Sequence, residues 1–277
     1  MDKNLNLAVA QVSSIDGDIE NNISKAISII KHFSKRADII VFPEKFITGY
    51  IPEKISYNKQ KYCLSEKDSR LIPLTNICKQ TKTNIIIGSP LLKNNEIYNS
   101  VFIINNQGKI KGTYDKMFLF DSEKNIYHRG EKFKILNYKG WRIGIGICYD
   151  AGFPEHSRIL AELGCDVYVV SGLFSTGTGY RELSTWFPAR ALDNGMFSAL
   201  SNYYGQTGEW DSCGFSGIWS PWGEKINSSK FNGETVICEE LNYGLISDAK
   251  KSEKMVTDIQ QYYEINSINS TFINLEE

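Results

Sequence analysis

The sequence predicts an α/β protein whose apolar strands are flanked by amphipathic helices. Ile39-Ile40-Val41-Phe42 and Ile85-Ile86-Ile87 are short, wholly apolar runs, the pattern of strands covered on both faces. Ile23, Ala26, Ile27, Ile30 and Phe33 recur every three or four residues, the period of a helix with one buried face. Further along, alternating runs come in pairs joined by polar turns, the mark of hairpins. Sheets with helices packed outside satisfy all of this, as a two-sheet, four-layer sandwich or as one doubly wound sheet. Periodicity alone does not choose between them.

The elements follow in order. Residues 5–12 alternate as a first strand, Asp18 N-caps the helix that ends near Phe33, and residues 37–42 form a buried strand that stops at Pro43-Glu44. A helix is expected over 66–79, with Leu71, Leu74, Ile77 and Cys78 inward, then a strand over 84–88. One hairpin pairs 96–105 with 109–114, and a second pairs 132–137 with 141–148. A helix over 154–163, a strand over 166–170 and a helix over 182–194 come next. Late strands are expected at 197–201, 212–220, 225–226, 236–241 and 243–246, followed by a polar tail or helix. No repeat or low-complexity linker divides the chain, so residues 1–277 read as a single domain, with a core over 5–250 and a tail over 251–277.

A chain of 277 residues with 42% apolar content can bury a substantial core. Its 31 basic and 32 acidic residues leave a charge of -1, with no basic excess to favour a nucleic-acid partner. No signal peptide or membrane-length apolar run is present, so a soluble cytoplasmic protein without a membrane partner is expected. The six cysteines are scattered, without C-x-x-C spacing, which argues against zinc, redox motifs or a disulfide framework.

The chemistry is expected at strand ends. In Trp141-Arg142-Ile143-Gly144-Ile145-Gly146-Ile147-Cys148 one face is apolar and the other is reduced to glycine before a thiol. Glu44 ends the apolar strand before it, and Lys116 ends a hairpin strand, in Tyr114-Asp115-Lys116. A thiol, a carboxylate and an ammonium suit covalent hydrolysis. The thiolate attacks, the carboxylate takes its proton and returns it to the leaving amine, and the lysine faces the oxyanion beside a backbone N–H. A second carboxylate would hold base and amine in register. A Cys–His hydrolase is the competitor; His32 and His156 read as surface or packing residues, whereas His128, in the loop after Lys116, is the candidate left for that alternative.

These residues resemble a family. Phe42-Pro43-Glu44, Tyr114-Asp115-Lys116 and Gly146-Ile147-Cys148-Tyr149-Asp150 resemble the signatures of the nitrilase superfamily of carbon–nitrogen hydrolases. Ala8-Val9-Ala10-Gln11, Thr48-Gly49-Tyr50, Phe153-Pro154-Glu155, Ala189-Arg190-Ala191-Leu192-Asp193-Asn194 and Ser220-Pro221-Trp222-Gly223-Glu224 resemble further family segments, in family order. The resemblance implies a four-layer α-β-β-α sandwich pairing into an eight-layer homodimer or higher oligomer, with no metal and no cofactor. It implies Glu44 as general base, Lys116 as stabiliser of the tetrahedral intermediate, Cys148 as nucleophile, Glu123 as auxiliary glutamate and the Tyr149 N–H as oxyanion donor.

Cys148-Tyr149-Asp150 looks like the amidase-type branch, and the segment from Phe174 to Gly179 is similar to omega-amidase-like members. Gly152 stands where that branch often has arginine, and Tyr180-Arg181-Glu182 also departs from it. The expected activity is hydrolysis of a small linear amide to acid and ammonia through a Cys thioester. An N-carbamoyl-amine hydrolase and a catalytically silent scaffold are the alternatives. Phe120, Phe174 and Trp186 are pocket residues on this reading, although each suits a core equally well.

Overall fold

Strands apolar on both faces must be covered on both faces, and the fold does so with two stacked sheets. The computed structural model describes residues 4–230, 233–259 and 269–276. Its strands are β1 (Asn4–Gln11), β2 (Ile39–Val41), β3 (Asn84–Lys93), β4 (Glu96–Ile104), β5 (Ile110–Asp115), β6 (Phe133–Tyr138), β7 (Trp141–Ile147) and β8 (Val167–Gly172). They continue with β9 (Phe197–Asn202), β10 (Tyr204–Thr207), β11 (Trp210–Cys213), β12 (Gly217–Trp219), β13 (Lys225–Ser228), β14 (Thr235–Asn242) and β15 (Ser270–Asn274). Among the described residues one sheet runs β14-β1-β2-β3-β4-β5, the other runs β13-β12-β9-β8-β7-β6-β15, and β10 and β11 form a ribbon.

The inner faces meet in one core, where Leu7, Val9, Val41, Ile86 and Val101 pack with Ile143, Ile145, Ile147, Val169 and Phe197. Full burial of such side chains contributes about 1.5–3 kcal/mol each. Outside the first sheet lie α1 (Ile19–Phe33), the short α2 (Pro52–Tyr57) and α3 (Lys59–Tyr62), and α4 (Ile72–Thr81). Ile23, Ala26 and Ile30 of α1 and Leu74, Ile77 and Cys78 of α4 cover Ala8, Ile40 and Ile85. Outside the second sheet, α5 (Pro154–Glu162) and α6 (Thr178–Asn194) set Leu160, Leu183 and Phe187 against Tyr168, Val170 and Leu200. Two further helices, α7 (Tyr243–Ser252) and α8 (Met255–Ile259), follow β14. The layering is α-β-β-α, which decides between the sandwich and the doubly wound sheet. Among the described residues no helix is long and apolar enough to cross a membrane.

The strands β1, β2 and β3 run parallel, as do β7, β8 and β9. Two antiparallel pairings return β5 to the direction of β3. Ser171 Oγ donates to Phe42 O and Ser201 Oγ to Ala10 O, each at 2.7 Å, which pins the ends of β8 and β9 to those of β2 and β1. The C-terminal ends of β2, β5, β7 and β8 therefore share one edge of the sandwich.

Several elements differ from expectation. Residues 243–246 are the first turn of α7 rather than a strand, because Asn242 caps the helix by accepting from Gly244 N at 2.7 Å. The helix expected over 66–79 begins only at Ile72, after a 3-10 turn (Ser69–Leu71) capped by Asp68. Pro73 is tolerated there because first-turn N–H groups lack partners within the helix. The strand expected over 212–220 breaks at Phe215, where φ is 56°. The C-terminal segment is not simply a polar tail or helix. After α8, β15 pairs in parallel with β6, and Ile273 and Leu275 enter the inner core. The part of the expected tail at 260–268 and residue 277 lie outside the described residues.

Candidate active site

Beyond β2 the chain must turn at Pro43, which has no N–H to continue the ladder. The turn lies directly on β3: a Cβ added to Gly88 would stand 2.3 Å from Pro43 O and 2.4 Å from Lys45 N. Lys45 has φ of 50°, so Glu44 and Lys45 both enter the interior from adjacent positions. Lys116 follows β5 and is fixed by its N–H to Asn99 O at 2.8 Å and its carbonyl to Gly130 N at 2.7 Å.

Cys148 leaves β7 with φ of 45°, a left-handed conformation uncommon outside glycine, and opens the 3-10 turn Cys148–Gly152. Asp150 braces that turn. Its Oδ2 accepts from Ile147 N at 2.9 Å and Tyr114 Oη at 2.7 Å, and its Oδ1 accepts from Phe118 N at 2.9 Å. Tyr114 Oη also meets His156 Nε2 at 2.8 Å, and Tyr168 Oη meets His156 Nδ1 at 3.1 Å. Burial lowers the His156 pKa and keeps the ring neutral. With the Tyr114 hydroxyl donated to Asp150, the chain closes if Nε2 carries the ring proton and Nδ1 accepts from Tyr168. What approaches the glycine face of β7 is thus this packing network: a Cβ on Gly146 would lie 2.3 Å from Tyr168 Oη.

Four buried charged groups and an amide form a closed cluster. Lys116 Nζ bridges Glu44 Oε1 at 2.9 Å and Glu123 Oε2 at 2.7 Å. Lys45 Nζ binds Glu123 Oε1 at 2.7 Å and lies over the Tyr50 ring at 3.6 Å. Asn99 Nδ2 joins Glu44 Oε1 at 2.6 Å to Glu123 Oε1 at 2.7 Å. Burial opposes charge on Lys116, but Glu123 and Glu44 outweigh it and hold the ammonium protonated. Burial likewise opposes charge on Glu123, yet Lys116 and Lys45 keep its carboxyl well below the usual range. Two carboxylates against two ammoniums leave the cluster neutral. Glu44 Oε2 is buried without a hydrogen-bond partner.

The half-buried Cys148 thiol donates to Leu173 O at 3.5 Å. Burial, with Glu44 adding to it, pushes the thiol pKa well up despite Lys116, so it rests protonated. It opens into a cavity of about 60 Å³ lined by Glu44, Lys116, Tyr149, Trp186, Trp210 and Glu182, among others.

The structure brings Glu44, Lys116, Cys148 and Glu123 together, and Tyr149, Phe120, Phe174 and Trp186 line the same cavity. It does not bring His128 there: that side chain is exposed and pairs with Glu96 at 2.7 Å. His32 is exposed and His156 packs in the core. Sequence reasoning missed Lys45, Asn99 and Glu182, for which no motif signals. Gly152, at the position where arginine is often found, faces the Trp186 ring, which a Cβ there would meet at 3.0 Å. Among the described residues no three His, Cys, Asp or Glu side chains are placed to hold a metal ion.

Comparison with known proteins finds relatives along most of the chain. The carbon-nitrogen hydrolase family matches residues 6–251. An omega-amidase of Xenopus laevis is 27% identical over 89% of this chain and 91% of its own. An (R)-stereoselective amidase of a Pseudomonas species is 28% identical over 73% of this chain and 72% of its own. The crystal structure of Nit3 from Saccharomyces cerevisiae, a nitrilase-superfamily member, superposes with a TM-score of 0.83 and 25% identity, covering 90% of this chain and 94% of that one. The chain belongs to the carbon-nitrogen hydrolase family of the nitrilase superfamily, whose amidase-like relatives cleave C–N bonds other than peptide bonds.

Proposed function

We propose that this enzyme hydrolyses a small linear amide to a carboxylic acid and ammonia, with Cys148 as nucleophile, Glu44 as general base and Lys116 as oxyanion partner. The observation that carries the reading is the asymmetry of Glu44. Its Oε1 is tied to Lys116 and Asn99, while its buried Oε2 has no partner and its side chain lines the cavity that exposes the thiol. An acceptor so desolvated is suited to take a proton.

As Sγ bonds to the amide carbon, its proton passes to Glu44 Oε2, and the carbonyl oxygen gains charge facing Lys116 and the Tyr149 N–H. Collapse breaks the C–N bond, and Glu44 returns the proton so that ammonia leaves. Water, deprotonated by Glu44, then attacks the thioester; the acid leaves and Sγ recovers a proton. Glu123, with Lys45 and Asn99, positions Lys116 and Glu44 throughout. The reading extends to a single catalytic domain and a cytoplasmic setting, and the family resemblance adds a homodimer; a stable monomer in sedimentation would overturn the last.

The test is ammonia release from purified protein across short amides, omega-monoamides, carbamoyl amines and nitriles, beside Cys148→Ala. Cys148-dependent release from amides is expected. Release of carbon dioxide together with ammonia would point to a carbamoyl substrate, and full activity of Cys148→Ala would overturn the mechanism.

A further inference from the structure

The neutral cluster of Glu44, Lys116, Glu123 and Lys45 leaves one charge in the cavity unbalanced. Glu182 lines the cavity from α6, one helical turn before Trp186, so the two share a face of the helix. Among the described residues no hydrogen bond or ion pair holds its carboxylate. Burial raises its pKa, and the neighbouring Arg181 guanidinium offsets this only in part. Arg181 itself is exposed, donates to Thr178 Oγ1 at 3.3 Å and does not line the cavity.

Much of the rest of the wall is aromatic. Phe120 meets Tyr149 edge to face at 5.4 Å and Trp210 at 5.9 Å, and Phe174 meets Trp186 at 5.9 Å. Ring faces carry partial negative charge and attract cations. The lone cation of the lining, Lys116, is already engaged by two carboxylates. An anionic substrate would therefore meet one free carboxylate and no free cation, whereas an ammonium would find a charge partner among rings.

Resting on the amide-hydrolase reading, we propose that the preferred substrates are short primary amides bearing an ammonium group, which docks on Glu182 among these rings. The cavity, about 60 Å³, is small, which favours short substrates. β-Alaninamide is a short amide bearing an ammonium, and butanamide is its uncharged isostere.

The test compares kcat/KM at pH 7 for β-alaninamide, butanamide and the anionic succinamate. The wild type is expected to favour β-alaninamide over butanamide by about tenfold or more, the scale of a charge-assisted hydrogen bond. Glu182→Gln is expected to bring that ratio near one, and Glu182→Lys to reverse the order in favour of succinamate, which a merely structural role would not do. Equal efficiencies or a preference for succinamate in the wild type, with Cys148-dependent release intact, overturn the ammonium proposal and leave the amidase reading standing. If no amide yields Cys148-dependent ammonia, the amidase reading fails. Calorimetric binding to Cys148→Ala then decides separately: tighter binding of β-alaninamide supports the ammonium site, and equal or absent binding overturns it.

Discussion

Replacing Lys45 by methionine tests how the buried charges are balanced. Lys45 Nζ and Glu123 Oε1 are 2.7 Å apart, and both side chains are wholly buried. The same ammonium lies over the Tyr50 and Tyr127 rings at 3.6 and 4.4 Å. Methionine keeps the apolar stem but leaves Glu44 and Glu123 to share Lys116. Removing one member of a buried pair costs about 3–5 kcal/mol, because the other charge stays desolvated. Loss of the ring contacts adds about 1 kcal/mol. Urea unfolding at pH 7 is therefore expected to show Lys45→Met less stable by about 4–6 kcal/mol. Adding Glu123→Gln removes the stranded anion, so the double variant should lose less than the two single losses combined, by about 1 kcal/mol or more. A loss below about 1 kcal/mol for Lys45→Met, or strict additivity in the cycle, would refute the argument.

Acid stability follows from the same cluster. The lowered carboxyl pKa of Glu123 contributes stability that is complete above the unfolded value of about 4.3 and is lost as pH falls toward the folded one. Stability should therefore decline from about pH 5 downward, less steeply in Lys45→Met; unfolding free energies that stay flat from pH 5 to 3 in the wild type would contradict this. Gly146→Ala places a Cβ 2.3 Å from Tyr168 Oη, which His156 holds in place. It should cost about 1–3 kcal/mol, read as a lowered melting temperature, and an unchanged melting point would refute the packing account.

The strands were legible because composition marks them, as short apolar runs or as alternating pairs joined by polar turns, but that pattern alone left the sandwich and the doubly wound sheet equally open. Glu44 and Cys148 were legible because each ends a strand with a readable apolar face, whereas Lys116 alone reads as a surface lysine and stood out only beside the other two. Residues 243–246 were not, because a cap such as Asn242 outweighs a brief alternation. Lys45 reads as an ordinary turn lysine, and only its left-handed backbone turns it inward. Asn99 lies mid-strand in β4, and its contacts with Glu44 and Glu123 depend on long-range packing. Glu182 sits on a helix with little apolar periodicity, so spacing does not tell which of its faces meets the cavity.

The most direct test of the account is ammonia release by Glu44→Gln on an amide that the wild type cleaves. Glutamine preserves the shape of the side chain and can still accept at Oε1, but it cannot take up the thiol proton. The account predicts a loss of about 10²–10⁴-fold in kcat with the fold intact, the usual range for a general base. A loss of only a few-fold would show that another group takes the proton from Cys148.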